Sequence, residues 1–219
     1  MMKTVIVCVP GNTFSSNWLQ CWDLLRDAAW KAYEFNIVLS NKYSCNIYYS
    51  RTMCLGGDVL KGANQKPWNK NLKYDYILWI DSDIEFNYGG LVHLVRQNKD
   101  IISGWYKMED NVHSCVVETW DEAYFQKYGS FKFVLPQGIK IRTEPFKVSY
   151  VGMGFMLVKY GVFESLKYPW FKPRFHTIGN CKDFSMEDVS FCLDVKDAGF
   201  DVYVDPSVQV GHEKRMILL

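Results

Sequence analysis

Residues 75–86 read DYILWIDSDIEF: five apolar or aromatic side chains, Tyr76 to Ile80, run straight into Asp81, Ser82 and Asp83, with Glu85 two places further on. A core does not hold unpaired carboxylates cheaply, so this junction faces water or holds a cation. The near-continuous apolar run is the pattern of a strand covered on both faces, as in parallel sheets. Acids at its carboxyl end fall where open α/β sheets bind ligands.

Upstream, TVIVCV (4–9) reads as a strand and 16–34 as a helix with Trp18, Trp22, Leu25 and Ala29 on one face. NIVLS (36–40) and NIYYS (46–50) read as extended, and 52–65 as a second helix despite Gly56 and Gly57. Downstream, GGLVHLVRQN (89–98) predicts a helix and DIISGWY (100–106) a strand. From about residue 112 the style changes. HSCVVETW, KFVLP and FKVSYVG read as strands with no regular helices between them, so an antiparallel or mixed part is expected against the first half. A last helix spans EDVSFCLDVKDAG and stops at Gly199, followed by two terminal strands in DVYVDP and VQVGHE. The expectation is an α/β fold, a mixed central sheet flanked by helices in one domain of 219 residues.

Composition narrows the function. Hydrophobic residues make up 48% and aromatics 16%, a globular profile. Lys plus Arg number 25 against 24 Asp plus Glu, and neither sign forms a long run, so a general nucleic-acid surface is not expected and any phosphate recognition is local. The seven cysteines are odd in number and form no C-x-x-C pair, which suits buried reduced thiols rather than a disulfide framework or a zinc site. The opening MMKTVIVCVP is short for a signal peptide, and no run reaches a membrane-spanning length, so a soluble cytoplasmic protein without a transmembrane segment is expected.

Two aspartates one residue apart at a strand end can face one ion, and Mg²⁺ or Mn²⁺ commonly bridges such carboxylates to substrate phosphates. The triplet alone fits a solvated turn equally well. Gly152 and Gly154 in SYVGMGFML let backbone approach a ligand, or mark a tight packing point. Glu187 and Asp188 sit in the first turn of the last helix, where the helix dipole favours carboxylates, and Ser185 with Asp188 fits a capping pattern. His212 follows the terminal strand and can complete a metal sphere, while Lys214 and Arg215 can meet phosphate oxygens. Histidines 93, 113 and 176 read as structural.

The order of these pieces (apolar strand with D-x-D, glycine loop, E-D at a helix start, strand, then Gly-His) resembles the GT-A fold of nucleotide-sugar glycosyltransferases, most of all family 2-like enzymes, from about residue 4 to 213. The most specific segments are VGMGFMLVKYGVFESL and EDVSFCLDVKDAGFDVYVDPSVQVGH. The resemblance implies a hexosyltransferase-type enzyme, with residues 1–110 binding a nucleoside-diphosphate sugar and residues 111–219 carrying acceptor and catalytic groups. It implies Asp81, Asp83 and His212 as ligands of Mn²⁺ or Mg²⁺, and Asp188 as the base. Donor contacts would come from Pro10, Arg51, Ser82, Gly152, Gly154 and Lys214 besides the two aspartates. Relatives carry Arg-Asn where this chain has Arg51 and Thr52.

With seven residues after His212, a glycan or other hydroxyl acceptor is expected to be read by SGWYKMED and YPWFKPRF. Trp105, Tyr106, Trp170, Phe171 and Glu187 are the candidates, core packing being the competing role for the rings. Direct displacement at the anomeric carbon would invert it, a retaining course staying open. Two rival readings exist. A haloacid-dehalogenase-like phosphatase also runs an apolar strand into D-x-D, though usually near the N terminus and with Thr or Val next. A non-catalytic nucleotide-sugar or glycan-binding module would bind without turnover.

Overall fold

The computed structural model describes residues 2–214. Arg215, a sequence candidate for phosphate contact, lies outside them.

Seven strands form the central sheet in the order β2 (Phe35–Lys42), β1 (Lys3–Pro10), β3 (Tyr76–Ile80), β9 (Phe155–Lys159), β5 (Ile101–Trp105), β12 (Val202–Gln209) and β7 (Phe146–Val148). The sheet is mixed. β1 runs parallel to β2 and β3, while β9 is antiparallel to both β3 and β5, and β12 is parallel to β5 and antiparallel to β7. Reversing β9 between β3 and β5 leaves β1, β3, β5 and β12 all pointing the same way. Their carboxyl ends, followed by Gly11, Asp81, Tyr106 and Val210, therefore meet at one edge, and the glycines that precede β9 enter there too.

The apolar run at 76–80 forms because it is covered on both faces: Ile77, Leu78, Trp79 and Ile80 are fully buried. Each such side chain contributes roughly 1.5–3 kcal/mol through burial. Three small ladders complete the chain: β4 (Ile84–Glu85) with β13 (Gly211–His212), β6 (Val116–Val117) with β8 (Tyr150–Val151), and β10 (Arg174–Ile178) with β11 (Cys181–Ser185). The helices are α1 (Ser16–Ala32), α2 (Ile47–Cys54), α3 (Tyr88–Arg96), α4 (Glu122–Tyr128), α5 (Pro136–Lys140), α6 (Val162–Ser165) and α7 (Glu187–Asp197). On α1 the face with Trp18, Leu25 and Ala29 is buried, and Ser15 caps the start by accepting from Trp18 N–H.

Several expectations are corrected. NIYYS is not extended but opens α2, because Asn46 accepts from Tyr48 N–H and caps a helix that short apolar runs do not distinguish from a strand. The helix expected at 52–65 ends at Cys54, since Gly56 adopts φ +71° and only a single 3₁₀ turn, Val59–Lys61, follows. KFVLP forms no strand, and two short helices, α4 and α5, stand in the half expected to lack them. The terminal strands are one long β12 with an irregularity between Val204 and Gln209, followed by the two-residue β13. All seven cysteines are free thiols, and among the described residues no helix is long and apolar enough to cross a membrane.

Candidate active site

The D-x-D segment closes a tight turn at the end of β3. Ile84 N–H donates to Asp81 C=O at 3.2 Å, Asp81 N–H to Gly154 C=O at 3.1 Å, and the Trp18 indole to Asp81 C=O at 3.1 Å. The chain then enters β4, whose pairing with β13 sets His212 opposite Ile84 and lets Glu213 N–H donate to Asp83 C=O at 2.8 Å. Two segments 129 residues apart in sequence thereby bring His212 Nε2 within 3.2 Å of Asp83 Oδ2, and Lys214 Nζ donates to the same oxygen at 2.9 Å.

His212 Nδ1 lies 2.9 Å from the Lys107 carbonyl oxygen. A carbonyl only accepts, so Nδ1 carries the hydrogen, and in the neutral ring Nε2 presents its lone pair to Asp83. Two acceptors facing each other require a proton or a cation between them. When it is a proton, the pair is ionic. Burial works against the imidazolium, but Asp83 and the Lys107 carbonyl outweigh it and raise the His212 pKa. Burial likewise opposes the Asp83 carboxylate, yet the hydrogen bonds from His212 and Lys214 hold its pKa down at about 2.

The donor set also suits a divalent ion. A ring nitrogen whose other N–H rests on a carbonyl is the usual metal-ligand arrangement, and adjacent ligands of an octahedral Mg²⁺-sized ion lie about 3 Å apart. The set is smaller than the sequence implied. Among the described residues no group of three His, Cys, Asp or Glu side chains could hold an ion together. The reason is Arg51. Its guanidinium donates through Nη2 to Asp81 Oδ2 at 3.1 Å, brings Nη1 within 3.0 Å of Oδ1, and donates through Nε to Glu187 Oε1 at 3.1 Å. Asp81 as a third ligand is therefore corrected: its carboxylate is committed to Arg51. The Nη1 to Oδ1 approach is badly aligned, so the buried Asp81 Oδ1 lacks a directed hydrogen bond. Two protein ligands with water and substrate phosphate are enough for Mg²⁺ or Mn²⁺.

The same network corrects two further expectations. Arg51 is 2% exposed and taken up by two carboxylates, which overcome the cost of burial and raise its pKa, so it is a strut between α2, the D-x-D turn and α7 rather than an open diphosphate contact. Glu187 is buried on the other side of Arg51 and offers nothing to an acceptor. A phosphatase nucleophile at Asp81 would need a free carboxylate, so this pairing also argues against the dehalogenase-like reading.

Gly152 and Gly154 are buried. A Cβ on Gly152 would stand 2.1 Å from the Tyr106 hydroxyl, and one on Gly154 would stand 2.8 Å from the Tyr106 ring and 2.9 Å from Ile84. The glycines make room for Tyr106 rather than for a donor, which corrects their assignment. Their effect still reaches the site, because the Tyr106 ring packs edge-on against His212 at 4.7 Å. Pro10 is buried at the end of β1, and the next residue, Gly11, lies so close to Ser82 that a Cβ there would meet its side chain at 2.7 Å. Ser82, Asp83 and Lys214 line a cleft of about 610 Å³ together with Thr13, Ser15 and Asn17.

Asp188 is the second residue of α7, in its first turn, with Oδ1 accepting its neighbour Val189 N–H at 2.7 Å. The capping pattern with Ser185 is not used: Met186 is the N-cap residue and provides no side-chain bond, while Ser185 Oγ bonds His176 and Ser190. Burial first, then the charge of Glu187, push the Asp188 carboxyl up to about 6. It lines a second cleft of about 680 Å³, which His212, Lys214 and Tyr106 also line.

Of the aromatic acceptor candidates, Trp105, Trp170 and Phe171 are corrected. Trp105 is fully buried with its indole donating to Pro206 C=O at 3.0 Å, and Trp170 and Phe171 are 1% and 3% exposed. The rings that do line the Asp188 cleft include Trp120, Phe131, Phe133 and Tyr150, which the sequence reading passed over. The signal for the first three was the density of rings through TWDEAYFQKYGSFKF at 119–133.

No protein-family model matches the chain, and no curated protein matches it in sequence. Solved structures do. A197 from STIV superposes with a TM-score of 0.56 at 18% identity, covering 98% of this chain and 87% of that one. GalNAc-T7, solved with UDP, GalNAc and Mn²⁺, gives a TM-score of 0.55 at 13% identity, covering 98% of this chain and 44% of that one. This chain thus spans less than half the length of GalNAc-T7. The mixed seven-stranded sheet flanked by helices is a GT-A-like fold, as the sequence led us to expect.

Proposed function

We propose that this protein is a metal-dependent glycosyltransferase, family 2-like, which moves a sugar from a nucleoside-diphosphate sugar to an acceptor hydroxyl with inversion. One observation carries the reading: a carboxyl raised to about 6, Asp188, shares a cleft with His212 and Lys214, which meet on Asp83. A base poised near neutrality beside a cation-binding pair is what displacement of a diphosphate by a hydroxyl requires.

Asp83 and His212 would hold Mn²⁺ or Mg²⁺, which when bound neutralises charge on the leaving diphosphate. Lys214 adds a fixed cation beside that diphosphate once it is released from Asp83. Asp81, held in place by Arg51, lines the donor side at the end of β3. Ser82, with the end of β1 behind it, lines the donor side. Asp188, ionised above about pH 6, accepts the proton of the acceptor hydroxyl as that oxygen attacks the anomeric carbon. Donor groups come mainly from residues 1–110 and the acceptor and base from residues 111–219 of a single domain, His212 and Lys214 crossing between them.

The test is a thermal-shift panel of nucleoside diphosphates and nucleotide sugars with and without Mn²⁺, followed by nucleoside-diphosphate release with mixed acceptors. Saturation at a hundred times the dissociation constant raises stability by about 2.7 kcal/mol. No Mn²⁺-dependent shift with any nucleotide overturns the proposal. Binding without release under every acceptor supports the non-catalytic module, and phosphate release from simple phosphoesters supports the phosphatase.

A further inference from the structure

We propose that the acceptor is a neutral compound whose hydroxyl is carried on a flat, largely apolar body, in chemical class an aryl alcohol; this rests on the transferase reading and names the second substrate of the same cleft. Besides Tyr106, which packs on His212, six Phe, Trp and Tyr rings line the cleft that reaches Asp188: Trp120, Phe125, Phe131, Phe133, Tyr150 and Phe184. Most form one continuous wall, with centroid separations of 4.0 Å for Trp120 and Phe131, 4.9 Å for Phe125 and Phe131, 6.0 Å for Phe131 and Tyr150, and 6.3 Å for Phe133 and Tyr150. Tyr150 and Asp188 both line this cleft, which brings the wall to the base. At about 680 Å³ the cleft has room for a body of several rings.

The rings themselves offer few hydrogen-bonding groups, and the cleft's polar residues Glu109, Asp110, Ser130 and Asp183 all stand at exposed positions. Ser185 Oγ is engaged by His176 at 3.0 Å and Ser190 at 2.8 Å, and Asp110 accepts from the backbone of Val112 and His113 and pairs with the His113 ring. The Tyr150 hydroxyl has no partner among the described residues and can serve one polar group beside the reacting one. A hexose laid against the rings would turn several hydroxyls onto apolar surface, away from those exposed polar groups, and each hydroxyl buried without a partner is penalised by lost hydration. A flat apolar body meets the rings face or edge and loses nothing comparable.

Charge excludes a third class. Exposed Glu109, Asp110 and Asp183 line the cleft, and Lys214, its one Lys or Arg among the described residues, is already held by Asp83. Phosphorylated or otherwise anionic acceptors are repelled by that arrangement.

Calorimetric titration of the full chain with naphthylmethanol and with a methyl hexoside tests the assignment, a Mn²⁺ and nucleoside-diphosphate thermal shift being run on the same preparation. Naphthylmethanol should bind about tenfold or more tightly than the hexoside. Binding should weaken about threefold or more in Phe184→Ala, an exposed position that leaves the fold intact, and further in Trp120→Ala. Tighter hexoside binding, no naphthylmethanol binding, or binding unchanged in both variants overturns the inference. If the nucleotide shift persists in that case, the transferase reading stands and only the acceptor class is wrong. If naphthylmethanol binds while every nucleotide shift is absent, the ring-lined site stands but not as an acceptor site, which overturns both.

Discussion

Asp188→Asn should make the protein inactive and more stable at once. The Asp188 carboxyl is moved from 3.8 to about 6, first by burial and then by the charge of Glu187. The unfolded chain ionises near 3.8, so folding takes up a proton between about pH 4 and about pH 6, and the ionised residue is penalised at every pH above that window. From about 1.4 kcal/mol per pH unit, the penalty at neutral pH is at most about 3 kcal/mol. Asn is nearly isosteric, keeps an oxygen for the Val189 N–H that Oδ1 accepts at 2.7 Å, and carries no charge, so the substitution removes the penalty. At about 2–4 °C per kcal/mol for a chain of this length, melting at neutral pH should rise, by at most about 6–12 °C. The gain should disappear below about pH 4, where Asp188 is neutral in both states. Turnover should fall about a hundredfold or more because Asn takes up no proton, and wild-type turnover should itself decline tenfold per pH unit below about pH 6. Calorimetry at both pH values and nucleoside-diphosphate release in one preparation decide it. A variant that melts lower at neutral pH, or keeps turnover within about threefold of wild type, refutes the reasoning.

Asp83→Asn should fold normally, since the side chain is 43% exposed, but should lose Mn²⁺-dependent nucleoside-diphosphate binding in a thermal-shift assay; retained binding would remove Asp83 from the metal set. For His212 the proton and the metal compete for Nε2, so Mn²⁺ affinity should rise with pH through its raised pKa, while the metal-free protein should lose the stabilising ion pair over the same range; His212→Ala should flatten both curves, and unchanged curves would make His212 structural. Arg51→Met leaves Asp81 and Glu187 without their partner and should cost about 3–5 kcal/mol in denaturant unfolding, against a loss below about 1 kcal/mol if the network were solvated. Gly152→Ala should lower the melting temperature by pushing Tyr106 off its site, and should weaken Mn²⁺ binding through His212; a neutral effect on both would separate the glycine loop from the metal pair.

What the sequence displayed well were elements whose own residues decide them. Strands β1, β3 and β5 are apolar runs with both faces covered, α1 and α3 start at side-chain caps, and α7 stops before Gly199 as expected although its start uses no side-chain cap. The D-x-D turn was legible for the same reason: an apolar strand that meets acids must end there. Misread elements were those settled by a neighbour. NIYYS becomes a helix through one cap at Asn46, and Trp105 and Trp170 are hidden by tertiary packing although their side chains suit a surface equally well. Least legible was Arg51, whose partners stand 30 and 136 residues away, because nothing local marks a guanidinium that two later acids will enclose.

That enclosure bears on the question posed by DYILWIDSDIEF. Asp81, Asp83, Glu187 and Asp188 bring four carboxylates to one sheet edge, and Arg51 and Lys214 supply two fixed cations. The arrangement divides them by task. Arg51 offsets buried Glu187 and the half-buried Asp81, and so lowers the cost of ending a core strand in acids. Asp83 is left at the cleft, where His212 and Lys214 answer its charge only until a diphosphate competes for Lys214 and a metal for His212. A diphosphate alone would meet uncompensated negative charge at Asp83 and Asp188, whereas a diphosphate carrying a divalent ion arrives nearly neutral and gives Asp83 a partner. Metal dependence in the proposed reaction then follows from the charge balance of the apolar strand's end, and Asp188, which no fixed cation pairs directly, is the one carboxylate of the four left free to exchange a proton.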